Sequence, residues 1–105
     1  MRHIRNATLA VAGCLAICQA LAQESPDPAL VKQGAALYEQ NCSACHGTRM
    51  LDPQGAFDLR TFPRDQKTRF VTSVAKGKNQ MPPWGDLFSA RDIEALWAYV
   101  IAGER

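Results

Sequence analysis

The sequence lacks a surplus of charge of one sign once its first residues are set aside. The 105-residue chain carries 12 basic and 10 acidic residues, a formal net charge of +2. Arg2 and Arg5 precede residues 23–105, and that remaining segment carries ten residues of each sign. Such a segment has no overall positive field to attract nucleic acid or a membrane surface. Nucleic-acid binding is therefore not expected, and charge steers a partner only through local groups such as Lys76 and Lys78.

The sequence also lacks an apolar run of the length that crosses a bilayer comfortably, which is about 20 residues. Residues 7–21 are uncharged and mostly apolar, they follow Arg2 and Arg5, and they lead into Ala20-Leu21-Ala22. A short positive region, an apolar region and small residues at an A-x-A site are typical of a secretory signal peptide. We predict that residues 1–22 are a signal peptide cleaved after Ala22, which places residues 23–105 in the periplasm without an integral membrane span.

Two alternatives for this leading segment stay open. The first is a membrane anchor that is retained. The second rests on Val11-Ala12-Gly13-Cys14, which resembles the lipobox of a bacterial lipoprotein and would leave Cys14 acylated. Only about seven apolar residues would precede that cut, the lower end of the usual range, so cleavage after Ala22 is favoured.

Cysteine and histidine are scarce after residue 22, where Cys42, Cys45 and His46 are the only ones. Together they form C-x-x-C-H, the haem-attachment motif. Two thiols at this spacing can each add to one haem vinyl group, and the next residue then holds the iron from one face. A thioredoxin-type dithiol would need a βαβ context, and a zinc site about four protein ligands. We therefore predict one covalently attached haem c.

A haem iron held by His46 has a second axial position, and no other histidine remains to fill it. The candidates are the thioethers of Met50 and Met81. Met50 follows His46 too closely to reach the opposite haem face, and we expect it to fill space in the core. Met81 lies beyond a loop and a helix and precedes Pro82-Pro83, which fixes the path of the chain. We predict that His46 and Met81 are the two iron ligands.

The remaining pattern predicts helices and no convincing strand. Asp27-Pro28 is a typical helix start, and the apolar spacing continues to about Asn41. A second helix is predicted from a cap at Asp65 to Gly77. Its expected buried residues are Phe70, Val71 and Val74.

The last predicted helix has the clearest boundaries. Ser89 and Asp92 have capping-box spacing, and Gly103 provides a stop. Residues 47–64 and 78–88 are predicted loops. Three helices and two loops make a small all-α domain with a modest core. Such a core usually needs additional stabilisation, which a covalently bound haem would supply.

The chain resembles the class I c-type cytochromes. Gly34 and Tyr38 stand eight and four residues before Cys42, where that family has a glycine and an aromatic residue in its first helix. The C-terminal signature is similar over Leu96-Trp97-Ala98-Tyr99-Val100. The resemblance implies a cytochrome c fold, with three main helices and two loops wrapped around the haem. It also implies that Gly34 lets the first helix cross the last closely, with Tyr38 packed near Tyr99 or Trp97.

Further segments are similar to small bacterial cytochromes that work beside quinoprotein dehydrogenases. These segments are Asp58-Leu59-Arg60, Gly77-Lys78 and Met81-Pro82-Pro83-Trp84-Gly85-Asp86. In such proteins polar groups near the methionine loop bind the haem propionates, which makes Arg60 and Trp84 candidates. A solvated arginine and a packed tryptophan are an equal alternative.

The function that the resemblance implies is one-electron transfer by a monomer that is not an enzyme. Its partners would be a donor dehydrogenase, such as a quinoprotein alcohol dehydrogenase, and an acceptor, either a terminal oxidase or another cytochrome. The docking face would surround the haem edge near Cys42 and Cys45, with rim charges at Arg49, Lys76 and Lys78. Two alternatives are a dedicated subunit of a dehydrogenase complex and a ligand-binding haem protein in which Met81 dissociates.

Overall fold

The computed structural model describes residues 25–103, and these residues are mainly helical. The helices are α1 (Pro28–Asn41), α2 (Ser43–His46), α3 (Lys67–Lys76) and α4 (Ala90–Ala102), with 3-10 turns at Thr48–Met50 and Leu59–Thr61. The one β-type pairing in this part of the chain is a bridge between Lys78 and Met81. The all-α prediction is confirmed. The predicted signal peptide, its cleavage site and Cys14 lie outside the described residues.

Helix α1 begins and ends where the sequence predicts. The Asp27 carboxylate accepts a hydrogen bond from the Ala29 backbone N–H at 2.9 Å. Pro28 occupies the first turn, where its missing N–H removes no helical hydrogen bond. The helix buries Gly34 and Tyr38 against the rest of the molecule.

Helix α3 corrects one prediction. Its N-cap is Gln66 and not Asp65, and no side chain caps the first free N–H groups. The side-chain oxygen of Gln66 instead accepts a hydrogen bond from the Arg69 guanidinium at 2.6 Å. The helix closes at Gly77 as predicted, with the left-handed φ of 77° that favours glycine.

The core-facing side of α3 is narrower than the sequence pattern suggests. Phe70 and Val74 are buried as expected, but Val71 is only half-buried and packs against the edge of the core. The predicted loop of residues 47–64 is also more regular than expected, since it contains both 3-10 turns.

Helix α4 carries the predicted capping box. The Ser89 hydroxyl accepts a hydrogen bond from the Asp92 backbone N–H at 3.1 Å, and the Asp92 carboxylate accepts one from the Ser89 backbone N–H at 3.0 Å. Gly103 ends the helix, and its N–H donates to the Tyr99 carbonyl at 2.9 Å. These caps fix both ends of the helix that supplies most of the core.

The first and last helices meet at Gly34. A Cβ atom at this position would overlap the Ala95 carbonyl oxygen and lie 2.9 Å from the Tyr99 Cβ. The Tyr38 and Tyr99 rings pack beside the crossing with centroids 5.1 Å apart. The close crossing implied by the family resemblance is confirmed.

Met50 lies in the core, as expected. Its side chain is 1% exposed. Both Arg49 and Met50 have left-handed backbone conformations, with φ of 54° and 62°. The core cluster comprises Tyr38, Met50, Phe70, Val74, Ile93, Leu96, Trp97, Tyr99 and Val100.

Among residues 25–103, no helix is both long enough and apolar enough to cross a bilayer.

Candidate functional site

The C-x-x-C-H motif forms a single helical turn that continues from α1. The His46 N–H donates to the Cys42 carbonyl at 3.0 Å, and the Gly47 N–H donates to the Ser43 carbonyl at 2.8 Å. Residues three and four positions apart are neighbours on a helix surface. The turn therefore gathers Cys42, Cys45 and His46, although the sequence pattern did not predict a helix here.

Both cysteines carry free thiols, and their environments differ. Cys42 is half-buried and packs against the core, whereas Cys45 is exposed. Burial, with a smaller contribution from the nearby Cys45, raises the pKa of the Cys42 thiol to about 11. Burial therefore favours the protonated thiol of Cys42 over its thiolate in the chain before haem is attached.

The His46 ring is oriented by a backbone carbonyl. Its Nδ1 lies 3.1 Å from the carbonyl oxygen of Phe57. A carbonyl oxygen only accepts, so Nδ1 carries the proton and donates, and Nε2 keeps its lone pair. Metal-ligating histidines are commonly oriented by such a hydrogen bond from the other ring nitrogen. His46 thus has the tautomer that an Nε2 iron ligand requires.

The residue that accepts this hydrogen bond belongs to an aromatic group. The Phe57 ring stands edge-on to Phe62 with centroids 5.7 Å apart. Phe62 in turn contacts Phe70 and Trp97 edge-on, at 5.7 and 5.9 Å. The Arg69 guanidinium carbon lies 5.9 Å from the Phe57 ring centroid and 5.1 Å from that of Phe62. The residue type of Phe57 does not indicate this role, because the contribution comes from a main-chain atom.

Tyr38 fixes the chain immediately after the motif. Its buried hydroxyl donates to the Gly47 carbonyl at 2.6 Å. Burial, with a smaller effect of Tyr99, raises the pKa of the Tyr38 phenol far above its usual value, so the hydroxyl stays protonated. Gly47 has φ of 88°, and a Cβ there would overlap the backbone of Asp52. The aromatic residue expected only to pack therefore also holds the loop that leaves His46.

Met81 lies in a separate segment that is fastened to α3. The backbones of Lys78 and Met81 exchange two hydrogen bonds, at 3.0 and 3.1 Å. Beyond Met81, the Trp84 N–H donates to the Val74 carbonyl at 2.9 Å, and the Gly85 N–H donates to Ala75 at 3.0 Å. The Met81 side chain is half-buried. The structure thus gathers three predicted site residues on one turn and tethers the fourth to the end of α3.

The two candidate propionate ligands have protein partners. Arg60 forms an ion pair with Asp58 at 3.2 Å and holds the pKa of that carboxyl below its usual range. Trp84 stacks on Phe88 with ring centroids 5.2 Å apart and planes 8° from parallel. Propionate binding by Arg60 and Trp84 therefore stays a prediction, beside the alternative of a solvated arginine and a packed tryptophan.

The available groups fit a haem c better than a zinc ion or a reactive dithiol. Two free thiols and an imidazole with the required tautomer lie on one turn, and the donor set matches covalent attachment with axial ligation. Among residues 25–103, three large apolar residues are exposed: Leu51 (46%), Phe57 (49%) and Leu87 (72%). Between residues 25 and 103 no group of three or more His, Cys, Asp or Glu side chains could hold a metal ion.

Comparison with known proteins agrees with this assignment. Residues 29–100 match the family described as cytochrome c oxidase, cbb3-type, subunit III. Cytochrome c6 of Microcystis aeruginosa is 36% identical over 74 residues, which is 66% of this chain and 91% of that protein. A solved structure of the c-type cytochrome NirC is 36% identical, with a TM-score of 0.54, and the match covers 75% of this chain and 96% of that one.

One similar protein is much larger. The quinohemoprotein alcohol dehydrogenase ADH-IIG of Pseudomonas putida is 29% identical over 79 residues. The match covers 73% of this chain but 11% of that enzyme, so the similarity concerns one segment of it.

Proposed function

This chain belongs to the class I c-type cytochromes, electron carriers that hold haem c covalently, and from that premise we propose where the haem is held and which proteins exchange electrons with it. Cys42 and Cys45 attach the haem, and His46 and Met81 are its axial ligands. The observation that carries this assignment is the single turn that presents both thiols beside an imidazole whose Nδ1 is held by the Phe57 carbonyl.

The bound haem supplies one-electron chemistry through the ferrous and ferric states of its iron. A methionine and histidine pair favours a higher reduction potential than two imidazoles do. The chain keeps both ligands in place, because His46 is held by Phe57 and the Met81 segment is bonded to α3. If His46 and Met81 both bind the iron, no ligand position would remain for a substrate, which would favour electron transfer over bond-making catalysis.

The proposed compartment is the periplasm, reached by way of residues 1–22 as a cleaved signal peptide. The proposed donor is a dehydrogenase, and a quinoprotein alcohol dehydrogenase is favoured by the similar segment within the Pseudomonas putida enzyme. The proposed acceptor is a terminal oxidase or another cytochrome, in keeping with the oxidase-subunit family that residues 29–100 match.

The proposed docking face surrounds the turn that carries Cys42 and Cys45. Exposed basic side chains at Arg49, Lys76 and Lys78 would form its rim. Charges at the rim of an interface act mainly on the association rate, so their effect should weaken as salt is added.

Replacing Met81 with alanine tests the ligand assignment. Met81→Ala should convert the low-spin, six-coordinate haem into one that binds carbon monoxide when reduced and has a lower reduction potential. Absorbance spectroscopy and potentiometry measure both changes. Met50→Leu is the matched control, since it alters a buried methionine of the core and should keep the parental spectrum.

Four outcomes would contradict parts of this proposal. Met81→Ala with an unchanged spectrum and potential would mean that another group ligates the iron. Full haem content in both Cys42→Ser and Cys45→Ser would place the attachment elsewhere. Rapid carbon monoxide binding by the unsubstituted reduced protein would favour a ligand-binding haem protein, and stable co-purification with one dehydrogenase would favour a dedicated subunit.

A further inference from the structure

Phe57 has an unusual position in this fold, because its main chain serves the site while its ring lies on the surface. Its carbonyl accepts the hydrogen bond from His46 Nδ1 at 3.1 Å. Its side chain is 49% exposed, so the core does not hold the residue by burial alone. The orientation of His46 therefore depends on whatever keeps Phe57 in place.

The segment before Phe57 is held by a local turn, in which the Ala56 N–H donates to the Pro53 carbonyl at 2.8 Å. Gly55 has φ of 89°, and no atom lies within 4 Å of the point where its Cβ would be. After Phe57 the Asp58 carboxylate accepts a hydrogen bond from the Arg60 N–H at 3.1 Å and starts the turn Leu59–Thr61. Phe57 thus lies between two local turns, and its ring is held by side-chain contacts.

Arg69 adds a second contact to the edge-on packing of Phe57 against Phe62, whose ring centroids are 5.7 Å apart. Its guanidinium lies against both Phe57 and Phe62, at 5.9 and 5.1 Å from the ring centroids, within the range of a cation–π interaction. Phe62 is fixed by edge-on contacts with the buried Phe70 and Trp97. The Arg69 side chain therefore joins an exposed ring to an anchored one.

The guanidinium is itself held in position. Gln66, which caps α3 without a side-chain bond to the helix, accepts a hydrogen bond from Arg69 at 2.6 Å. Arg69 is exposed, yet its side chain follows a defined path across the two rings.

We propose that Arg69 is a positioning residue, which holds Phe57 against Phe62 and so keeps the Phe57 carbonyl bonded to His46 Nδ1. This inference rests on the proposed ligation of iron by His46 through Nε2. A hydrogen bond at Nδ1 fixes the tautomer and orientation of a ligating imidazole and raises its basicity. Arg69 would then act on the iron ligand from the protein surface, without touching the haem or its ligands.

The test measures exchange of the His46 Nδ1 proton with solvent, by NMR of the reduced holoprotein. Arg69→Gln should accelerate that exchange about two- to fivefold, the factor that corresponds to loss of an exposed cation–π contact. Phe57→Leu removes the contact with Arg69 and also the edge-on packing against Phe62, so it should accelerate exchange at least as much as Arg69→Gln. Adding Arg69→Gln to Phe57→Leu should then change the exchange rate little further, because the shared contact is already lost. Arg69→Lys keeps the cation and should retain most of the protection.

Two controls separate this effect from charge and from stability. Arg91→Gln removes an exposed positive charge at the start of α4 and should leave the exchange unchanged. The backbone amides of α4 should exchange at the parental rate in every variant, since the core is not altered.

The inference is overturned if Arg69→Gln leaves the His46 proton unchanged, if Arg69→Lys behaves like Arg69→Gln, or if the α4 amides accelerate by the same factor. Failure of the proposed function would look different. In that case the His46 proton of the unsubstituted protein would lack the ring-current shift that a haem ligand shows, before any substitution is made.

Discussion

At the scale of single residues, main-chain acceptors decide how this site is built. The Phe57 carbonyl fixes the His46 ring, and the Gly47 carbonyl accepts from the Tyr38 hydroxyl. Neither acceptor is visible in a residue pattern, because every residue has a carbonyl. The residue pattern indicates which side chains carry the chemistry. The fold determines which main-chain atoms orient those side chains.

Tyr38 gives the clearest prediction at this scale. Tyr38→Phe keeps the ring that packs on Tyr99 but removes the donor to the Gly47 carbonyl, which would be left buried without that partner. An unsatisfied buried acceptor costs about 1–3 kcal/mol, and we expect the free energy of unfolding to fall by that amount. Denaturant titration of the holoprotein measures it.

The control is Ser43→Ala, which removes a hydroxyl that donates to the Glu39 carbonyl at 2.6 Å in an exposed position, where water can replace it. Its loss of stability should be smaller than that of Tyr38→Phe. Equal stability of the parent protein and Tyr38→Phe would show that the hydroxyl contributes nothing to holding the loop after His46.

At the scale of elements, α3 supports both proposed axial ligands. Arg69, near its N-terminal end, contacts the ring of Phe57, and the carbonyls of Val74 and Ala75, near its C-terminal end, bind the segment after Met81. The helix therefore connects the contacts that hold Phe57 with those that hold the segment after Met81. A shift of α3 would disturb the supports of both proposed ligands.

The capping box of α4 predicts a dependence of stability on pH. The Ser89 backbone N–H, with a further contribution from the Gln33 amide at 3.0 Å, holds the pKa of the Asp92 carboxyl below its ordinary value of 3.8. A carboxyl whose folded pKa is depressed stabilises the fold above its unfolded pKa, and this contribution is lost as the pH falls through the folded pKa.

Asp92→Asn should therefore be less stable than the parent protein at pH 7, and the difference should shrink below about pH 4. Denaturant titrations at pH 7 and pH 3 measure the two differences. Asp86→Asn, in the exposed loop before α4, is the matched control and should track the parent at both pH values. A difference that stays constant between these pH values would contradict the capping role of the carboxylate.

At the scale of the whole molecule, the crossing of α1 and α4 closes the fold. Gly34→Ala should destabilise the protein by about 1–3 kcal/mol, because the new methyl group overlaps the Ala95 carbonyl and forces the helices apart. Helix propensity acts in the opposite direction, since alanine is favoured over glycine by about 1 kcal/mol. A loss of stability in denaturant titration therefore reports the crossing itself.

Ala36 provides the comparison on the exposed side of α1. Ala36→Gly reverses the substitution where nothing packs closely, and it should cost only the propensity difference of about 1 kcal/mol. If Gly34→Ala proved more stable than the parent, the close approach of the two helices would be wrong.

The sequence predicted the helices at Pro28–Asn41 and Ala90–Ala102 well, because their boundaries depend on local caps such as Asp27 and Ser89. It misplaced the start of α3 at Asp65, since Gln66 takes that position and its side chain is engaged by Arg69. The turn at Ser43–His46 was missed because four residues carry no helical period. The burial of Met50 was expected, and the assignment of iron to His46 and Met81 remains a prediction.

The contact between Gly34 and Ala95 also bears on the order of events during maturation. Under the proposed export, the segment after residue 22 crosses the membrane in chain order, and Cys42 to His46 emerge before Ala90–Ala102. Until that last helix has emerged, the side of α1 that carries Gly34 cannot pack against Ala95. Under that proposal, the α1–α4 contact at Gly34 can form only after both haem-attachment cysteines have crossed the membrane.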